Sequence, residues 1–196
     1  MGEIRSFVAI ELPDELKKEL RQVQRTLSDG GVEDLVRWVK PEGMHLTLKF
    51  LGNVHADKIN AVEIAIAQAS QGCRSFKIAL RGLGCFPAPS RPNVIWVGVE
   101  GDLGPLAALQ RGIEDNLAAL GYAPERRDYT PHLTLGRVAK QVDSRQRRRI
   151  GELMETIRVD SLGEMQAREV SLIRSDLSPA GARYTRLAAI PLGGGE

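Results

Sequence analysis

The chain of 196 residues is 42% hydrophobic and 27% charged, which is typical of a soluble globular domain and excludes a disordered, collagen-like or coiled-coil protein. Lys and Arg exceed Asp and Glu by 27 to 25, so the net charge of +2 attracts polyanions only weakly, and any nucleic-acid contact requires a local group of basic residues. Aromatic residues make up 5%, which argues against a long stacking platform for single-stranded RNA and leaves room for a pocket that holds one or two terminal nucleotides.

Cysteine usage and hydropathy indicate the compartment. Cys73 and Cys85 lie outside any Cys-x-x-Cys pattern, so we expect two free thiols in a reducing environment. No apolar run approaches the length of a membrane span, and the first residues lead into a strand-like segment without a basic and then apolar leader. The sequence therefore predicts a cytoplasmic protein that does not enter a membrane.

Hydrophobic periodicity predicts twelve elements in the order β-α-β-β-α-β-β-α-β-α-β-β. The predicted strands are residues 6–12, 36–39, 44–51, 76–83, 94–99, 132–138, 169–174 and 184–190, and the predicted helices are 13–27, 56–69, 106–120 and 144–157. A loop is expected at Gly30-Gly31, a proline-rich loop at 87–92, and a frayed tail at 193–196. This order is neither a strict βαβ alternation nor an all-β series, so it favours an α+β fold.

The order also resembles one unit used twice. In each half, a strand and a helix lead to a strand that holds His-Leu-Thr-Leu, the first half running from Phe7 to Leu51 and the second from Val94 to Val138. The two histidines are 87 residues apart, and so are the strands that begin at Phe7 and Val94. The equal offset indicates a duplication and predicts two lobes with a cleft between them, within a single domain spanning residues 1–196.

The repeated tetrapeptide is the candidate catalytic motif. It occurs at residues 45–48 and 132–135, in a chain with only three histidines. Residues i and i+2 of a strand share a face, so His45 and Thr47, like His132 and Thr134, point to one side while the leucines point into a core. Two imidazoles are suited to phosphodiester hydrolysis, where one removes a proton from the nucleophile and the other protonates the leaving oxygen. The threonine hydroxyls can donate hydrogen bonds to phosphate oxygens.

A structural histidine and a metal ligand are the alternatives for these residues. A single His is commonly a half-buried strand residue, but a pair with matched threonines favours catalysis. Without a third His, a Cys or clustered carboxylates at ligand spacing, the pair falls short of a zinc site, so we expect neither a metal nor a cofactor. His55, the third histidine, is expected to be solvated.

Basic residues near the motifs are candidates for phosphate binding. By strand parity Lys49 shares the face of His45, whereas Arg137 points away from His132 unless Gly136 bends the strand. The basic run from Arg145 to Arg149 lies on a predicted helix, where a solvated face is the default and contact with an RNA backbone is the alternative.

Five segments resemble a known family, the 2H phosphoesterases, and within it the RNA 2′,3′-cyclic phosphodiesterases, also called 2′-5′ RNA ligases. They are Phe7–Pro13, Arg37–Glu42, His45–Gly52, Pro131–Val138 and the Leu172–Leu192 hairpin. The resemblance implies a bilobal, pseudo-symmetric α+β fold of two antiparallel sheets flanked by helices, with a central active-site cleft.

The resemblance also implies a reaction, the hydrolysis of an RNA 2′,3′-cyclic phosphate to a 2′-phosphate without metal or nucleotide cofactor. In this interpretation His45 protonates the leaving 3′ oxygen, His132 activates water, and Thr47 and Thr134 hold the phosphate. The same groups would serve the reverse 2′-5′ ligation.

Two other functions stay open at this stage. One is a non-catalytic module that binds RNA ends, and the other is an enzyme of the same chemistry that acts on a small molecule, such as a cyclic nucleotide or an ADP-ribose cyclic phosphate. The natural RNA, for example tRNA fragments, is not evident from the residues. A monomer is the expectation for a cleft enzyme of this size.

Overall fold

Alternating and helical hydrophobic patterns produce nine strands and four α-helices over residues 2–178 and 181–193, the part of the chain that the computed structural model describes. The strands are β1 (Glu3–Glu11), β2 (Val36–Trp38), β3 (His45–His55), β4 (Phe76–Phe86), β5 (Val94–Gly101), β6 (His132–Val138), β7 (Glu164–Ala167), β8 (Glu169–Ser178) and β9 (Gly181–Pro191). The helices are α1 (Asp14–Leu27), α2 (Ile59–Gln71), α3 (Leu103–Ala119) and α4 (Ser144–Thr156).

All twelve predicted elements are confirmed, and one strand was missed. The missed strand, β7, is four residues long and only its last residue, Ala167, is buried, so it carries almost no periodic pattern. The predicted Gly30-Gly31 loop is a set of irregular helical turns, in which Gly31 adopts a φ of 83° that favours glycine. Of the predicted frayed tail, Gly193 donates a backbone hydrogen bond to Ser70 and residues 194–196 lie outside the described residues.

The strands form two antiparallel sheets, as the resemblance implied. One sheet has the order β3-β1-β8-β9 and the other β2-β6-β5-β4-β7. Each sheet therefore contains one motif strand, β3 or β6, paired with the strand that opens the same half, β1 or β5. The two motif strands also contact each other where the sheets adjoin.

The helices cover one face of the sheets because each helix has an apolar stripe. In α1 the stripe is formed by Leu16, Leu20, Val23 and Leu27. The four leucines of the two motifs are at most 3% exposed and belong to the same core. The histidines and threonines, two residues apart along each strand, therefore lie on the faces opposite the core.

The strand registers of the two halves match. Thr47 pairs with Ala9, and Thr134 pairs with Trp96, the residue 87 positions after Ala9. Both motif strands then contain a β-bulge at the same place, at Leu48 and Leu135, where one extra residue interrupts the pairing. A bulge reverses the alternation of side chains beyond it. The duplication inferred from the sequence thus extends to an irregularity of the backbone.

Both cysteines are free thiols, with Cys73 partly buried and Cys85 buried. Of the helices in the described residues, none has the length and apolar character needed to cross a membrane.

Candidate active site

His45 is held by aromatic rings at the start of β3. Its ring stacks on Phe7 with centroids 4.5 Å apart and meets the edge of Tyr184 at 5.4 Å. Burial lowers the pKa of His45 from 6.5 to about 4, while the negative charge of Glu11, its neighbour across β1, acts in the opposite direction. Lys17 adds a smaller lowering effect. In the free protein at neutral pH this imidazole is therefore uncharged.

His132 is held by a backbone hydrogen bond. Its Nδ1 lies 2.8 Å from the carbonyl oxygen of Thr130, and because a carbonyl only accepts, Nδ1 carries the proton. The neutral ring therefore has its lone pair on Nε2. Burial lowers the pKa of His132, the Thr130 carbonyl raises it, and the charge of Arg137 lowers it. The ring also packs against the edge of Phe86, with centroids 4.9 Å apart.

Polar contacts join the two motif strands. The Tyr129 hydroxyl donates to the carbonyl oxygen of Thr47 at 3.1 Å, which links the segment leading into His132 to the first motif. On the helix side, the Gln24 amide donates to the carbonyls of Val39 and Leu135, at 2.8 Å each. These contacts fix the position of one half relative to the other, at the place where β3 and β6 contact each other.

The bulges decide both predictions that rested on strand parity, the face of Lys49 and the face of Arg137. Beyond its bulge, Lys49 pairs with the fully buried Val8, so it lies on the core face, and the prediction that it shares the face of His45 is wrong. Gly136 likewise pairs with the buried Ile95, which leaves the next residue, Arg137, on the open face. The bend considered for Gly136 in the sequence is therefore real.

Arg137 lies near His132 and Tyr184. Its charge acts on His132, and it also acts on Tyr184, whose ring contacts His45. Although burial raises the pKa of Tyr184 overall, the guanidinium opposes that shift. One exposed cation, Arg137, thus lies close to His132 of the second half and to Tyr184, which contacts His45 of the first half.

Lys49 has a different position from the one expected. Its ammonium bonds Glu114 of α3 at 2.5 Å and the carbonyl of Ala123 at 3.0 Å, and its side chain is 3% exposed. Glu114 also accepts a backbone hydrogen bond from Glu125. Lys49 therefore ties the first motif strand to the segment 121–131 that precedes His132.

Aromatic residues that sequence reasoning missed also line the site. Phe7 and Tyr184 contact His45, and Phe50 packs against Phe7 with centroids 5.9 Å apart while remaining 64% exposed. The 87-residue offset could have indicated Phe50, because Phe50 and Arg137 are equivalent positions of the two halves. A hydrophobic residue within an apolar strand is normally assigned to the core instead.

A pocket of about 220 Å³ adjoins His45 on the side of β9. Glu11, Lys17, Glu42, Tyr184 and Arg186 contribute to its lining. Glu11 there accepts a hydrogen bond from Ser171 and forms an ion pair with Arg186 at 3.1 Å. The surroundings of His45 are thus charged on one side and aromatic on the other.

The third histidine is separate from this site. His55 is 63% exposed and lies 3.8 Å from Glu3, as expected for a solvated residue. Across residues 2–178 and 181–193, no three His, Cys, Asp or Glu side chains converge in a way that could hold a metal ion.

Comparison with protein families agrees with the duplication. The sequence model of the family described as LigT like phosphoesterase matches residues 10–96 and again residues 97–184. The two matches begin 87 residues apart, the spacing of the two motif histidines.

Similar proteins cover nearly the whole chain. A protein of Methanothermobacter thermautotrophicus named RNA 2′,3′-cyclic phosphodiesterase is 37% identical over 189 residues, which cover 96% of this chain and 99% of that one. A protein of the same name from Archaeoglobus fulgidus is 33% identical over 184 residues, covering 94% and 98%.

Solved structures share the fold. A Thermus thermophilus protein has a TM-score of 0.77 at 25% identity, with 98% of this chain and 100% of that chain covered. Escherichia coli LigT complexed with 3′-AMP has a TM-score of 0.76 at 25% identity, with coverage of 97% and 98%.

Proposed function

Because the chain belongs to the LigT-like phosphoesterase family, we propose that it hydrolyses the 2′,3′-cyclic phosphate of an RNA end to a 2′-phosphomonoester by two-histidine general acid–base catalysis. The observation that supports this proposal is the pair of His-x-Thr faces, which lie opposite the core at equivalent registers of β3 and β6, two strands that contact each other. The names of the relatives supply the substrate class. Each half contributes one histidine, so residues 1–196 act as one domain in this proposal.

His132 is the general base in this mechanism. Its Nε2 lone pair removes a proton from the water whose oxygen attacks the phosphorus. The ring then becomes an imidazolium, and the Thr130 carbonyl that accepts from Nδ1 stabilises the new positive charge. The hydrogen bond thus selects the required tautomer before the reaction and supports the product of proton transfer during it.

His45 is the general acid. As the bond between phosphorus and the 3′ oxygen breaks, the His45 proton passes to that oxygen, which leaves as a 3′-hydroxyl. In the free site the pKa of about 4 keeps this ring neutral, and the negative charge of the bound phosphate, together with that of Glu11, favours its protonated form. A buried imidazolium transfers its proton readily once the leaving oxygen becomes basic.

The phosphate oxygens receive the remaining polar groups. The hydroxyls of Thr47 and Thr134 donate to the non-bridging oxygens, which gain charge as water attacks, and Arg137 neutralises that charge. Phe50 offers an exposed ring on the same open face, where the base of the terminal nucleotide can stack. The reverse reaction, attack of a 5′-hydroxyl to form a 2′-5′ linkage, uses the same groups by microscopic reversibility.

The test is turnover of an oligoribonucleotide that ends in a 2′,3′-cyclic phosphate. Replacing His45 or His132 by Ala should each lower kcat by about 10²–10⁴-fold, with little further loss in the double variant because the two act as a unit. His55→Ala is the matched control and should retain the wild-type rate. Near wild-type turnover in either motif variant, or a 3′-phosphate as the product, would refute the mechanism.

A small cyclic nucleotide is the second candidate substrate. It is favoured by the scarcity of aromatic side chains, since within residues 2–178 and 181–193 Phe50 is the one exposed aromatic ring beside the catalytic pair, enough for one base. Comparing kcat/KM for a cyclic mononucleotide with that for a cyclic-ended decamer discriminates between the two substrates. If both ligands bind but no product forms, and if replacing both histidines leaves the binding affinity unchanged, the protein is instead a non-catalytic binding module.

A further inference from the structure

The two motif histidines face different residues on the neighbouring strand. Glu11 of β1 pairs directly with His45. The residue 87 positions after Glu11 is Gly98 of β5, which pairs directly with His132. Directly opposed residues of antiparallel strands have their Cβ atoms about 4.5–5.5 Å apart, so their side chains interact. A carboxylate therefore lies across from one imidazole, and bare backbone lies across from the other.

The backbone around Gly98 excludes a side chain from that position. A Cβ on Gly98 would lie 2.7 Å from the carbonyl oxygen of Arg81, its partner on β4. The register of β4 shifts between Arg81 and Leu83, and glycine is the residue that tolerates such a close approach of another strand. The second half therefore has no room for a counterpart of Glu11, and the two halves differ by design of the backbone as well as by one residue.

The carboxylate of Glu11 is held by residues of β8 and β9. The hydroxyl of Ser171, a residue that is 1% exposed, donates to Glu11 Oε2 at 2.7 Å. Arg186 Nη1 lies 3.1 Å from the same oxygen and 2.7 Å from Oε1 of Glu169. A buried hydroxyl and a guanidinium that a second carboxylate fixes together restrict the rotamers of Glu11. The negative charge thus keeps one place beside His45.

Glu11 has the larger charge effect on His45. Among the described residues, the titratable side chains that line the pocket together with His45 are Glu11 of β1, Lys17 of α1, Glu42 of the turn before β3, and Tyr184 and Arg186 of β9. Burial lowers the pKa of His45, Glu11 raises it, and Lys17 lowers it by less than Glu11 raises it. At His132 burial again lowers the pKa, and the charged side chain that acts on it is a cation, Arg137.

We propose that Glu11, held by Ser171 and Arg186, is a positioning residue that makes His45 the general acid of the pair, because its carboxylate stabilises the imidazolium that the acid step needs. This inference rests on the proposed function and explains its direction. His132 lies opposite Gly98 and stays a neutral base until it takes a proton from water. The direction of proton flow, which two identical motifs do not specify, then follows from the difference between Glu11 and Gly98.

The test variant is Glu11→Gln, whose amide oxygen still accepts from Ser171 while the charge is lost. The Glu11 side chain is 41% exposed, so water screens its charge and the effect is moderate. With the cyclic-ended oligoribonucleotide, we expect kcat on the basic limb of the pH profile to fall about 3- to 10-fold, as that limb shifts by about 0.5–1 pH unit to lower pH. On the acidic limb, where protonation of His132 controls the rate, the two proteins should converge, and KM should stay within about 2-fold. A loss of the same size at every pH would show that Glu11 only supports the fold of the site.

Two further variants separate charge from packing. Glu11→Asp keeps the charge and should recover most of the basic limb. Glu3→Gln is the matched control, because Glu3 lies on the same strand, pairs directly with His55 and is distant from the site. It should leave both limbs of the profile unchanged. If Glu11→Gln behaves like Glu3→Gln, the proposed role of Glu11 is wrong.

A measurement without turnover keeps this inference separate from the proposed function. The Cε1–H proton resonances of the three histidines, assigned by replacing each in turn, report the protonation of each ring in the complex with a nucleoside 2′-monophosphate. In Glu11→Gln the His45 resonance should titrate at a lower pH than in wild type, by the same interval as the basic limb, while His132 and His55 titrate as before. An unchanged His45 titration refutes the role of Glu11 even in an active enzyme, whereas a wild type without turnover refutes the proposed function.

Discussion

The buried ion pair between Lys49 and Glu114 gives a quantitative test of how the two halves are joined. The Lys49 side chain is 3% exposed and that of Glu114 12%, and the pair also engages the backbone of Ala123 and Glu125. Glu114→Gln leaves a buried ammonium without its counter-charge, which costs about 3–5 kcal/mol of unfolding free energy. For a chain of this length that corresponds to a fall in Tm of about 6–20 °C.

Thermal and guanidinium unfolding measure this loss, and kinetics measure its consequence for the site. Since the pair holds the segment that precedes His132, we expect kcat at a temperature below the transition to fall about 10-fold with KM little changed. Lys49→Met/Glu114→Leu, which replaces the pair by apolar groups, should recover most of the stability. A loss below about 1 kcal/mol in Glu114→Gln would refute the buried-pair argument. The exposed pair Lys77–Glu164 is the control, and Glu164→Gln should leave Tm unchanged.

Three further predictions concern pH, the Tyr129 contact and metal. The pKa of His45 falls from 6.5 to about 4 on folding, so between these pH values the unfolded state binds more protons than the folded state. The contribution of His45 to the free energy of unfolding is therefore complete above pH 6.5 and is lost as the pH falls towards 4. Denaturant titrations should show wild type losing about 3 kcal/mol more than His45→Gln between pH 7 and pH 4, and equal losses would contradict the burial of the ring. Tyr129→Phe leaves the Thr47 carbonyl without its donor and should cost about 1 kcal/mol of stability by the same titrations, whereas a neutral result would mean that water replaces the contact. Prolonged EDTA treatment should leave turnover unchanged, and loss restored by a divalent cation would overturn the metal-free mechanism.

The order of elements was predictable because each strand and helix carries its own hydrophobic period. The motif faces were predictable for the same reason, since residues 45–47 and 132–134 precede the bulges and alternate regularly. Beyond the bulges that alternation reverses, and an extra residue leaves no mark in a pattern of hydrophobic and polar letters. Lys49 was therefore placed on the wrong face.

Contacts between distant segments were not accessible to sequence reasoning. Tyr129 donates to Thr47, 82 residues away, and Gln24 donates to Leu135, 111 residues away. Nothing local in either sequence specifies such a partner, because the partner is a backbone carbonyl that any residue supplies. These contacts depend on the arrangement of the two sheets, which the periodicity of single elements does not determine.

The duplicated backbone presents different side chains at equivalent positions, and this difference predicts how an asymmetric substrate is oriented. Phe50 follows the first bulge and Arg137 the second, 87 residues later, so a ring and a guanidinium occupy matched places. A ring provides a stacking face, and a guanidinium provides a charged, planar donor for phosphate. We expect Phe50→Leu to raise KM for a cyclic nucleotide about 5- to 100-fold with kcat nearly unchanged, and to have no effect on a ribose 2′,3′-cyclic phosphate that lacks a base. Arg137→Met should lower kcat/KM for both substrates by about 10- to 100-fold, because the phosphate is common to them. Equal effects of Phe50→Leu on the two substrates would show that the ring supports the fold of the site and does not bind the base.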